Sequence, residues 1–587
     1  MKNMLEFFKG YRISALLGPF FKLTEAILEL LVPMIVAFII DDAIPTGSIS
    51  NTYRYIGMMF ILGITGLIVS LSGQYFSAKA AVGFTKNLSE KLYKKIILLS
   101  KEERDILTPS SLVTRMTSDV NQIQTGLNLV FRLILRAPLI VFGSLVMAMM
   151  IDLRMTLYFL GMIIILFIIV GGIMYFSNPL FNQIRKDTDR LVTLTREQVQ
   201  GIRVIRAYHQ EDREIAQFEK NNKILTEDLL QAGYLNVLTN PLTYIIVNTT
   251  LILIIWQGGH FVFEGTLSQG QLVALINYLL QILVELVKLA GFVVMMNKAN
   301  ASANRINDVL NQSVESQDVT NSSYSVGEKT LFNHKIKSNS VLIFDGVSFV
   351  YPESAAPAVT EIDFVINQGE FVGLIGGTGS GKTTLIQLIT QTYQPTTGSV
   401  SFNPKLFDVS SKQALRDQIA VVPGLVSLFK GTIRSNLLMG FKDASEEDMW
   451  KALECAQAAE FVREKEGQLD APVVAFGRNF SGGQRQRLTI ARALIKPAKI
   501  LIFDDSTSAL DFVTEANFQN ALKENYSDRT IIMVSQRTRS LEKADQIIVL
   551  DQGLQVGLGT HNELLRTNDI YREIYESQQI KEVNSDE

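Results

Sequence analysis

The 587-residue sequence has one cysteine, Cys455, and a formal net charge of only -3. A single cysteine excludes an intrachain disulfide, and it fits a protein whose soluble part lies in a reducing compartment. The near-neutral charge gives no electrostatic reason to expect a nucleic-acid partner. The N-terminal residues lack a short apolar core with a small-residue cleavage site, so we expect no removable signal peptide. A chain of this length is expected to form more than one domain.

Long apolar runs recur up to about residue 300, whereas the rest of the sequence is typical of a soluble α/β domain. A helix needs about 20 mostly apolar residues to cross the hydrocarbon layer of a bilayer. Six stretches have that length, at residues 15–40, 55–80, 128–150, 155–176, 241–263 and 269–297. Six such segments disfavour the alternative of buried helices in a large soluble protein. The sequence therefore predicts a transmembrane domain over residues 1–310.

Lysine and arginine are unevenly distributed among the segments that connect the spans. They are abundant at 81–127 and 177–240 and scarce in the short connections at 41–54, 151–154 and 258–268. Because positive residues collect on the cytoplasmic side, this bias predicts a multi-pass plasma-membrane protein with both termini in the cytoplasm. We expect the two long connections to be helices that continue the spans into the cytoplasm and reach the C-terminal domain.

Charged residues inside the predicted spans are costly to place in lipid. Three pairs lie three or four residues apart, each on one helix face: Glu25 and Glu29, Arg132 and Arg136, Glu285 and Lys288. One interpretation is a polar, water-filled substrate cavity. The other is mutual pairing between helices, or positions close enough to the membrane surface for long side chains to reach it. Both interpretations are open at this point.

A polar segment at residues 311–340 predicts a linker, and a soluble domain follows at 341–580. In that domain a buried strand, 371–375, and a helix beginning at Thr384 flank the sequence Gly-Gly-Thr-Gly-Ser-Gly-Lys-Thr. Glycines in such a loop let backbone N–H groups wrap phosphates at the positive end of a helix. The residues predicted to contact ATP here are Gly376, Gly377, Thr378, Gly379, Ser380, Gly381, Lys382, Thr383 and Thr384.

Three side chains complete a predicted site for Mg·ATP. Lys382 supplies positive charge to the β- and γ-phosphates, and the hydroxyl of Thr383 can ligate Mg²⁺. A buried strand at 499–503 leads into Asp504, whose carboxylate we expect in the Mg²⁺ shell, as in other P-loop ATPases. ATP and Mg are therefore the predicted cofactors.

A second motif, Phe480-Ser-Gly-Gly-Gln484, stands about a hundred residues after the phosphate loop and opens a predicted helix that runs to Leu494. With six spans ahead of the ATPase, the chain is identified as a member of the ABC transporter superfamily. It resembles the exporter half-transporters over essentially its whole length. The resemblance implies an all-α transmembrane domain of six helices, followed by a P-loop α/β ATP-binding cassette domain at 341–580.

The resemblance also implies roles for particular residues. Tyr351 stands 25 residues before the phosphate loop, in the position that stacks on adenine in this family. Ser508 and Asp511 resemble the D-loop. Two segments resemble the intracellular loops, 114–120 and 201–208. The signature motif caps the γ-phosphate of ATP held by the opposing subunit, and its residues here are Phe480, in place of the usual Leu, Ser481, Gly482, Gly483 and Gln484.

Three positions depart from the family pattern, all at the hydrolytic chemistry. Asp505 stands where the family has its glutamate general base, and it is one methylene shorter. General-base catalysis is worth about 10²–10⁴-fold and depends first on geometry. Gln536 replaces the switch histidine and cannot carry a positive charge. Gly424 lacks the glutamine side chain that contacts Mg²⁺ and the attacking water. Since the binding residues are kept, we expect a site that binds Mg·ATP and hydrolyses it slowly.

These departures predict a partner. ABC ATP sites are shared, so the intact signature motif would complete a competent site on a second half-transporter carrying Glu, His and Gln. The chain thus resembles the degenerate-site subunit of heterodimeric bacterial multidrug exporters, with amphipathic or hydrophobic small molecules as substrates. A lipid or peptide exporter subunit is one alternative. Another is a non-pumping membrane protein that ATP binding switches between conformations.

Overall fold

The computed structural model describes residues 2–312, 339–352 and 354–583. The chain divides into two compact units. Unit 1 comprises Met1–Ile97 and Ser110–Asn311, and unit 2 comprises Leu98–Pro109 and Gln312–Glu587. Most of the expected linker, residues 313–338, lies outside the described residues.

Helices account for almost all of the first 312 residues. They are α1 (Arg12–Phe38), α2 (Ile44–Thr46), α3 (Ile49–Ile97), α4 (Lys101–Leu107), α5 (Pro109–Thr114), α6 (Val120–Leu133), α7 (Arg136–Ile151), α8 (Leu153–Gln200), α9 (Ile202–Ala207), α10 (Glu211–Phe263) and α11 (Gln269–Asn311). Among the described residues, six helical segments are long and apolar enough to cross a membrane. Each contains one of the six predicted stretches, which confirms the all-α membrane domain.

Several of these helices are much longer than a membrane requires. Helices α3, α8 and α10 have 49, 48 and 53 residues, against the about 20 that span the hydrocarbon layer. Their C-terminal or N-terminal parts carry the lysine-rich and arginine-rich connections identified in the sequence. The parts of these connections that lie in α3, α8 and α10 are therefore continuous extensions of the spans, with shorter helices between them.

The core of unit 1 is a cluster of buried apolar side chains contributed by α1, α7, α8, α10 and α11. Its largest fully buried member is Tyr278. The Tyr278 hydroxyl donates a hydrogen bond of 2.9 Å to the backbone carbonyl oxygen of Leu30. This bond satisfies the one polar group of the side chain and joins α11 to α1.

The charges inside the predicted spans pair with one another, so the second of the two interpretations matches the structure. Arg136 on α7 is central: its Nη1 lies 2.7 Å from Glu285 Oε1 and its Nη2 lies 2.6 Å from Glu29 Oε2. Lys288 is a second partner of Glu285, at 2.8 Å. Lys22, which the sequence analysis did not single out, pairs with Glu25 at 2.5 Å. We call these six residues the charge network; within the described ranges no ion pair involves Arg132.

A second buried carboxylate fixes the other end of α11. Asp119, which is 3% exposed, accepts hydrogen bonds from Arg305 Nε at 2.9 Å and Ser302 Oγ at 3.0 Å. It ends the π-helical turn Arg115–Asp119, inside the segment expected to form an intracellular loop.

We predict that Asp119→Asn lowers the thermal stability of the purified protein. The amide would present an N–H₂ group to donors that need an acceptor, and an unsatisfied buried group costs about 1–3 kcal/mol. The measurement is the apparent melting temperature in detergent. Asp308→Asn is the matched control, because Asp308 is an exposed residue of the same helix. Equal melting temperatures for the two variants would contradict the prediction.

Unit 2 is an α/β unit built on a nine-stranded sheet in the order β4-β1-β2-β11-β10-β3-β9-β8-β5. The strands, including two that form a separate small ribbon, are β1 (Ser340–Phe349), β2 (Val359–Asn367), β3 (Phe371–Gly376), β4 (Thr397–Phe402), β5 (Ile419–Val422), β6 (Gly431–Thr432), β7 (Pro472–Val473), β8 (Ile500–Asp504), β9 (Thr530–Val534), β10 (Gln546–Asp551) and β11 (Leu554–Gly559). The run from β10 to β5 is parallel.

Helices cover this sheet. They are α12 (Lys382–Ile389), α13 (Lys412–Asp417), α14 (Ile433–Leu438), α15 (Glu446–Cys455), α16 (Ala459–Arg463), α17 (Gly482–Leu494), α18 (Phe512–Asn525), α19 (His561–Thr567) and α20 (Asp569–Val583). Alternate residues of β8 pack into two different hydrophobic cores of unit 2. Ile500 and Ile502 belong to one core, and Leu501 and Phe503 belong to the other. Burial on both faces explains why the parallel strands are continuous apolar runs.

The division into units differs from the sequence-based boundary in one segment. The sequence predicts that residues 1–310 form one domain, whereas Leu98–Pro109 groups with unit 2. This segment contains α4, whose N-cap is Ser100. Within unit 2, Tyr393 donates a hydrogen bond of 2.5 Å from its hydroxyl to Asp105 Oδ2. A short polar helix that binds through such a contact carries no hydrophobic periodicity for sequence analysis to detect.

Candidate functional site

The candidate site lies at the carboxyl edge of the parallel strands. The phosphate loop follows β3, Asp504 ends β8, Gln536 follows β9, and the loop with Gly424 follows β5. Because β3, β9, β8 and β5 are adjacent and parallel, their carboxyl ends meet at one edge. Such an edge is where open α/β sheets bind ligands.

Glycine is required in the phosphate loop at its junction with α12. Gly381 is the N-cap of α12, with φ of 99°. A Cβ atom at this position would lie 2.6 Å from Val359 Cγ1 and 2.9 Å from the carbonyl oxygen of Ala358. Both the backbone conformation and the close neighbours therefore exclude a side chain. The first backbone N–H groups of α12 have no acceptor within the helix, which suits phosphate.

Lys382 reaches back over the phosphate loop. Its Nζ donates to the carbonyl oxygens of Gly376 at 2.8 Å and Gly377 at 2.6 Å. Burial lowers the pKa of Lys382, while the carboxylates of Asp505 and Asp504 oppose that shift. The ammonium group is thus held at the loop, where it can contact phosphate oxygens.

Tyr351 and the part of the phosphate loop from Gly379 to Thr384 line one cavity of about 410 Å³, whereas Gly376, Gly377 and Thr378 do not line it. The hydroxyl of Tyr351 contacts Thr384 Oγ1 at 3.0 Å and donates to Gln387 Oε1 at 2.8 Å, so the ring is fixed against α12. An aromatic ring at one end and a phosphate cradle at the other fit a nucleotide. Gln552 also lines this cavity; it follows β10 and belongs to no motif that the sequence analysis used.

A second cavity, of about 800 Å³, contains the residues predicted for Mg²⁺ and hydrolysis. Thr383, Gly424, Asp504 and Asp505 all line it. Burial raises the pKa of Asp504, and repulsion from Asp505 adds to this shift, whereas Lys382 opposes it. Burial also raises the pKa of Asp505. Two neighbouring carboxylates whose charged forms are destabilised by burial favour a bound cation.

The donors fit a magnesium ion that is held together with a nucleotide. In the described part of the chain, no cluster of three or more His, Cys, Asp or Glu residues could hold a metal alone. Mg²⁺ in ATPases typically takes one or two protein ligands and completes its shell with phosphate oxygens and water. Thr383 and Asp504, which line the same cavity, are suited to supply the protein ligands.

The backbone of Gly424 closely approaches the end of β8. A Cβ atom built on its backbone would lie 2.9 Å from the carbonyl oxygen of Asp504. This contact is with backbone, which cannot rotate away, so the loop with Gly424 lies closely against the end of β8. A side chain here requires the loop to move.

Asp505 has an unusual backbone conformation, with φ of 48°. Its N–H donates to the carbonyl oxygen of Val534 at 3.1 Å, and Ser508 Oγ donates to its carbonyl oxygen at 2.9 Å. The left-handed region is sparsely populated by residues other than glycine, and aspartate is among those that tolerate it best. The turn after β8 therefore favours aspartate over glutamate at position 505.

The remaining predicted residues lie outside these two cavities. Neither the signature residues nor Gln536, Ser508 and Asp511 are among the described residues that line them. Ser481 is the N-cap of α17, in a reciprocal capping arrangement with Gln484, and Asp511 caps α18 by accepting from the N–H of Thr514. The signature motif thus forms a helix N-terminus at which Ser481 and Gly482 are exposed and Phe480 is buried.

Sequence comparisons agree with this architecture. Residues 15–286 match the model of the ABC transporter transmembrane region, and residues 359–508 match the ABC transporter model. The chain is 32% identical to the ABC transporter ATP-binding protein YfiB of Bacillus subtilis, over 98% of both chains. It is 29% identical to a probable multidrug resistance ABC transporter protein of the same species, YheI, over 99% of this chain and 98% of that one.

Two further similarities concern lipid transport and fold. The chain is 28% identical to the ATP-dependent lipid A-core flippase of Hahella chejuensis, over 89% of this chain and 88% of the flippase. A solved structure of a bacterial Atm1-family ABC exporter with ATP bound superposes with a TM-score of 0.75, at 22% identity and over 97% and 98% of the two chains. The chain therefore belongs to the ABC transporter family, as an exporter-type half-transporter with its membrane domain fused to its ATPase domain.

Proposed function

We propose that this chain is the degenerate-site subunit of a heterodimeric ATP-driven exporter. It binds Mg·ATP on its own phosphate loop, hydrolyses that ATP slowly, and supplies its signature motif to a competent site on its partner. The observation that carries this proposal is the wall of the second cavity, where Gly424 lies against the backbone of Asp504 and Asp505 stands in place of a glutamate.

Binding and hydrolysis place different demands on these residues. Lys382 and the backbone N–H groups at the start of α12 hold the phosphates, Tyr351 takes the adenine, and Thr383 with Asp504 holds Mg²⁺, which neutralises phosphate charge. Hydrolysis also needs a base positioned at the attacking water. The short side chain of Asp505 holds its carboxylate back, and the closed loop at Gly424 leaves no space for a glutamine.

The switch position supports the same conclusion. Gln536 is exposed, and its amide can donate a hydrogen bond to a phosphate but cannot carry charge. A transition state that accumulates negative charge on the phosphoryl oxygens is stabilised by cations. The site on this chain therefore keeps its binding groups and departs from the family pattern at all three positions that assist hydrolysis.

The partner in this proposal carries Glu, His and Gln at the three corresponding positions. With both termini and the α/β unit in the cytoplasm, closure of the two ATPase domains on ATP would turn the substrate cavity outward. Similarity to YheI, named a probable multidrug resistance protein, supports amphipathic drugs as substrates. Similarity to lipid A-core flippases supports lipid as the alternative class.

The test is to purify the tagged chain gently from its native host and identify any protein that co-purifies one-to-one. We expect a second half-transporter with the intact Glu and His. ATP turnover should appear in the complex and be at least ten times slower for the chain alone. A lone chain that turns over ATP at about 10 per second, an ordinary enzyme rate, would contradict the degenerate site. A complex that hydrolyses ATP without moving a fluorescent amphipathic dye or lipid across proteoliposomes would favour the non-pumping alternative.

A further inference from the structure

The segment that follows β9 is held from two sides by side chains distant in sequence. Gln536 directly follows Ser535 at the end of β9, and the next residues form a 3₁₀-helix, Thr538–Leu541. The N–H of Ser535 still donates to the carbonyl oxygen of Leu374 on β3 at 3.2 Å, and strand pairing of this backbone ends there among the described residues. We call residues 535–541 the switch segment.

The side-chain amide of Gln578, on the C-terminal helix α20, bonds to the backbone where no strand pairs with it. Gln578 Nε2 donates to the carbonyl oxygen of Gln536 at 2.7 Å. Its Oε1 accepts from the backbone N–H of Thr538 at 3.0 Å and from Thr538 Oγ1 at 3.1 Å. A carboxamide carries a donor and an acceptor side by side, so Gln578 pairs with residues i and i+2 of the segment, as an adjacent strand would.

Helix α20 is well anchored for this purpose. Tyr571 is fully buried in the core of unit 2, and its hydroxyl lies 2.7 Å from His561 Nδ1. Ile574 packs against the same core. Tyr571, Ile574 and Gln578 are spaced i, i+3 and i+7, which places them on one face of the helix. The position of the Gln578 amide is therefore set by the core.

The opposite side of the switch segment is tied to the D-loop. Arg537, between the two residues that Gln578 contacts, donates from Nη2 to the carbonyl oxygen of Ser508 at 3.1 Å. Its Nη1 pairs with Glu515 Oε2 at 3.1 Å. Glu515 is 6% exposed and also accepts from Ser540 Oγ at 2.5 Å. The segment is thus fixed between α20 on one side and the D-loop with α18 on the other.

We infer that Gln578 is a positioning residue for the nucleotide site: it sets the place of Gln536 relative to bound ATP through two backbone hydrogen bonds. This inference rests on the proposed function in one respect, namely that Gln536 faces the γ-phosphate. Because ADP lacks that phosphate, the clamp should affect ATP binding and leave ADP binding unchanged.

The first measurement is hydrogen exchange by mass spectrometry on the full-length chain in lipid nanodiscs, free of nucleotide. In Gln578→Ala the peptide covering residues 535–541 should exchange at least about fivefold faster, because loss of its hydrogen bonds lowers the opening free energy. Gln579→Ala is the matched control. Gln579 is the exposed neighbour on the same helix, and among the described residues its side chain hydrogen-bonds only to the hydroxyl of Tyr575. Equal exchange in both variants would overturn the inference.

The second measurement is the affinity of this chain for ATP and for ADP, by competition against a photoreactive ATP analogue with the labelled chain separated on a gel. Gln578→Ala should weaken the binding of ATP about three- to tenfold and leave the affinity for ADP unchanged. Gln578→Glu keeps the acceptor and loses the donor, so its affinity for ATP should lie between those of the unaltered chain and Gln578→Ala. Faster exchange with an unchanged ATP-to-ADP preference would overturn the positioning role. Failure of the unaltered chain to bind ATP would contradict the proposed function, while the exchange rates would still decide whether Gln578 holds the segment.

Discussion

Replacing Asp505 by Glu together with Gln536 by His is expected to make this chain's own site hydrolyse ATP at least 100-fold faster. The longer carboxylate reaches the attacking water, and a positioned general base is worth about 10²–10⁴-fold. The histidine adds a group that can become positively charged at the γ-phosphate. The gain falls short of the full range because Asp505 lies at φ of 48°, where a glutamate is less well tolerated than an aspartate.

The measurement must report on this chain alone. Vanadate traps ADP at a site only after hydrolysis, so trapping of a photoreactive nucleotide, followed by separation of the two subunits, identifies which phosphate loop has turned over. The unaltered chain should trap little nucleotide, and the double variant should trap much more. The same variant with Lys382→Ala is the control, because it removes the ammonium held at the phosphate loop. Strong trapping by the unaltered chain would show that Asp505 and Gln536 suffice for hydrolysis.

Adding Gly424→Gln to that double variant should not increase trapping further, although a family comparison suggests that it would. The new Cβ atom lies 2.9 Å from the carbonyl oxygen of Asp504, so the loop must move away from β8 before the amide can reach the site. Such a shift strains the strand end that carries Asp504 and Asp505. We therefore expect equal or weaker trapping by the triple variant.

The sequence was sufficient for the features that depend on local pattern. Span length and hydropathy predict the six helices, and the strand, glycine loop and helix around Lys382 predict the phosphate loop, because both signals are contained in short stretches. The same reasoning could not find Gln578, which contacts residues 40 and 42 positions away and lies in a polar C-terminal helix. Nor could it find the closure at Gly424, since a glycine in a sequence does not reveal which backbone lies against it.

The intramembrane charges illustrate the same limit. Spacing places Glu25 with Glu29 and Glu285 with Lys288, but the residue that joins them, Arg136, is 107 positions from Glu29 and 149 from Glu285. Whether such charges face a water-filled cavity or each other depends on how the helices pack. The sequence therefore allowed two interpretations, and the packing of α1, α7 and α11 distinguishes between them.

Replacing Arg136 by Met is expected to destabilise the membrane domain strongly. The charge network contains three acidic and three basic residues, and Arg136 is the one that joins α7 to both α1 and α11. Its loss leaves an excess negative charge beside Glu285, whose side chain is 3% exposed. Breaking a buried ion pair by removing one partner costs about 3–5 kcal/mol. The measurement is the apparent melting temperature of the purified protein in detergent.

Arg132→Met is the matched control, because Arg132 lies one turn earlier along the same span and has no ion pair among the described residues; it should change the melting temperature little. Glu285→Gln in the Arg136→Met background should recover much of the loss, because it restores equal numbers of acidic and basic side chains in the charge network and keeps the size of the side chain. If Arg136→Met alone had no effect, or if Glu285→Gln made it worse, the network would not be held by charge pairing. Its acidic residues would then be solvated, as a water-filled cavity requires.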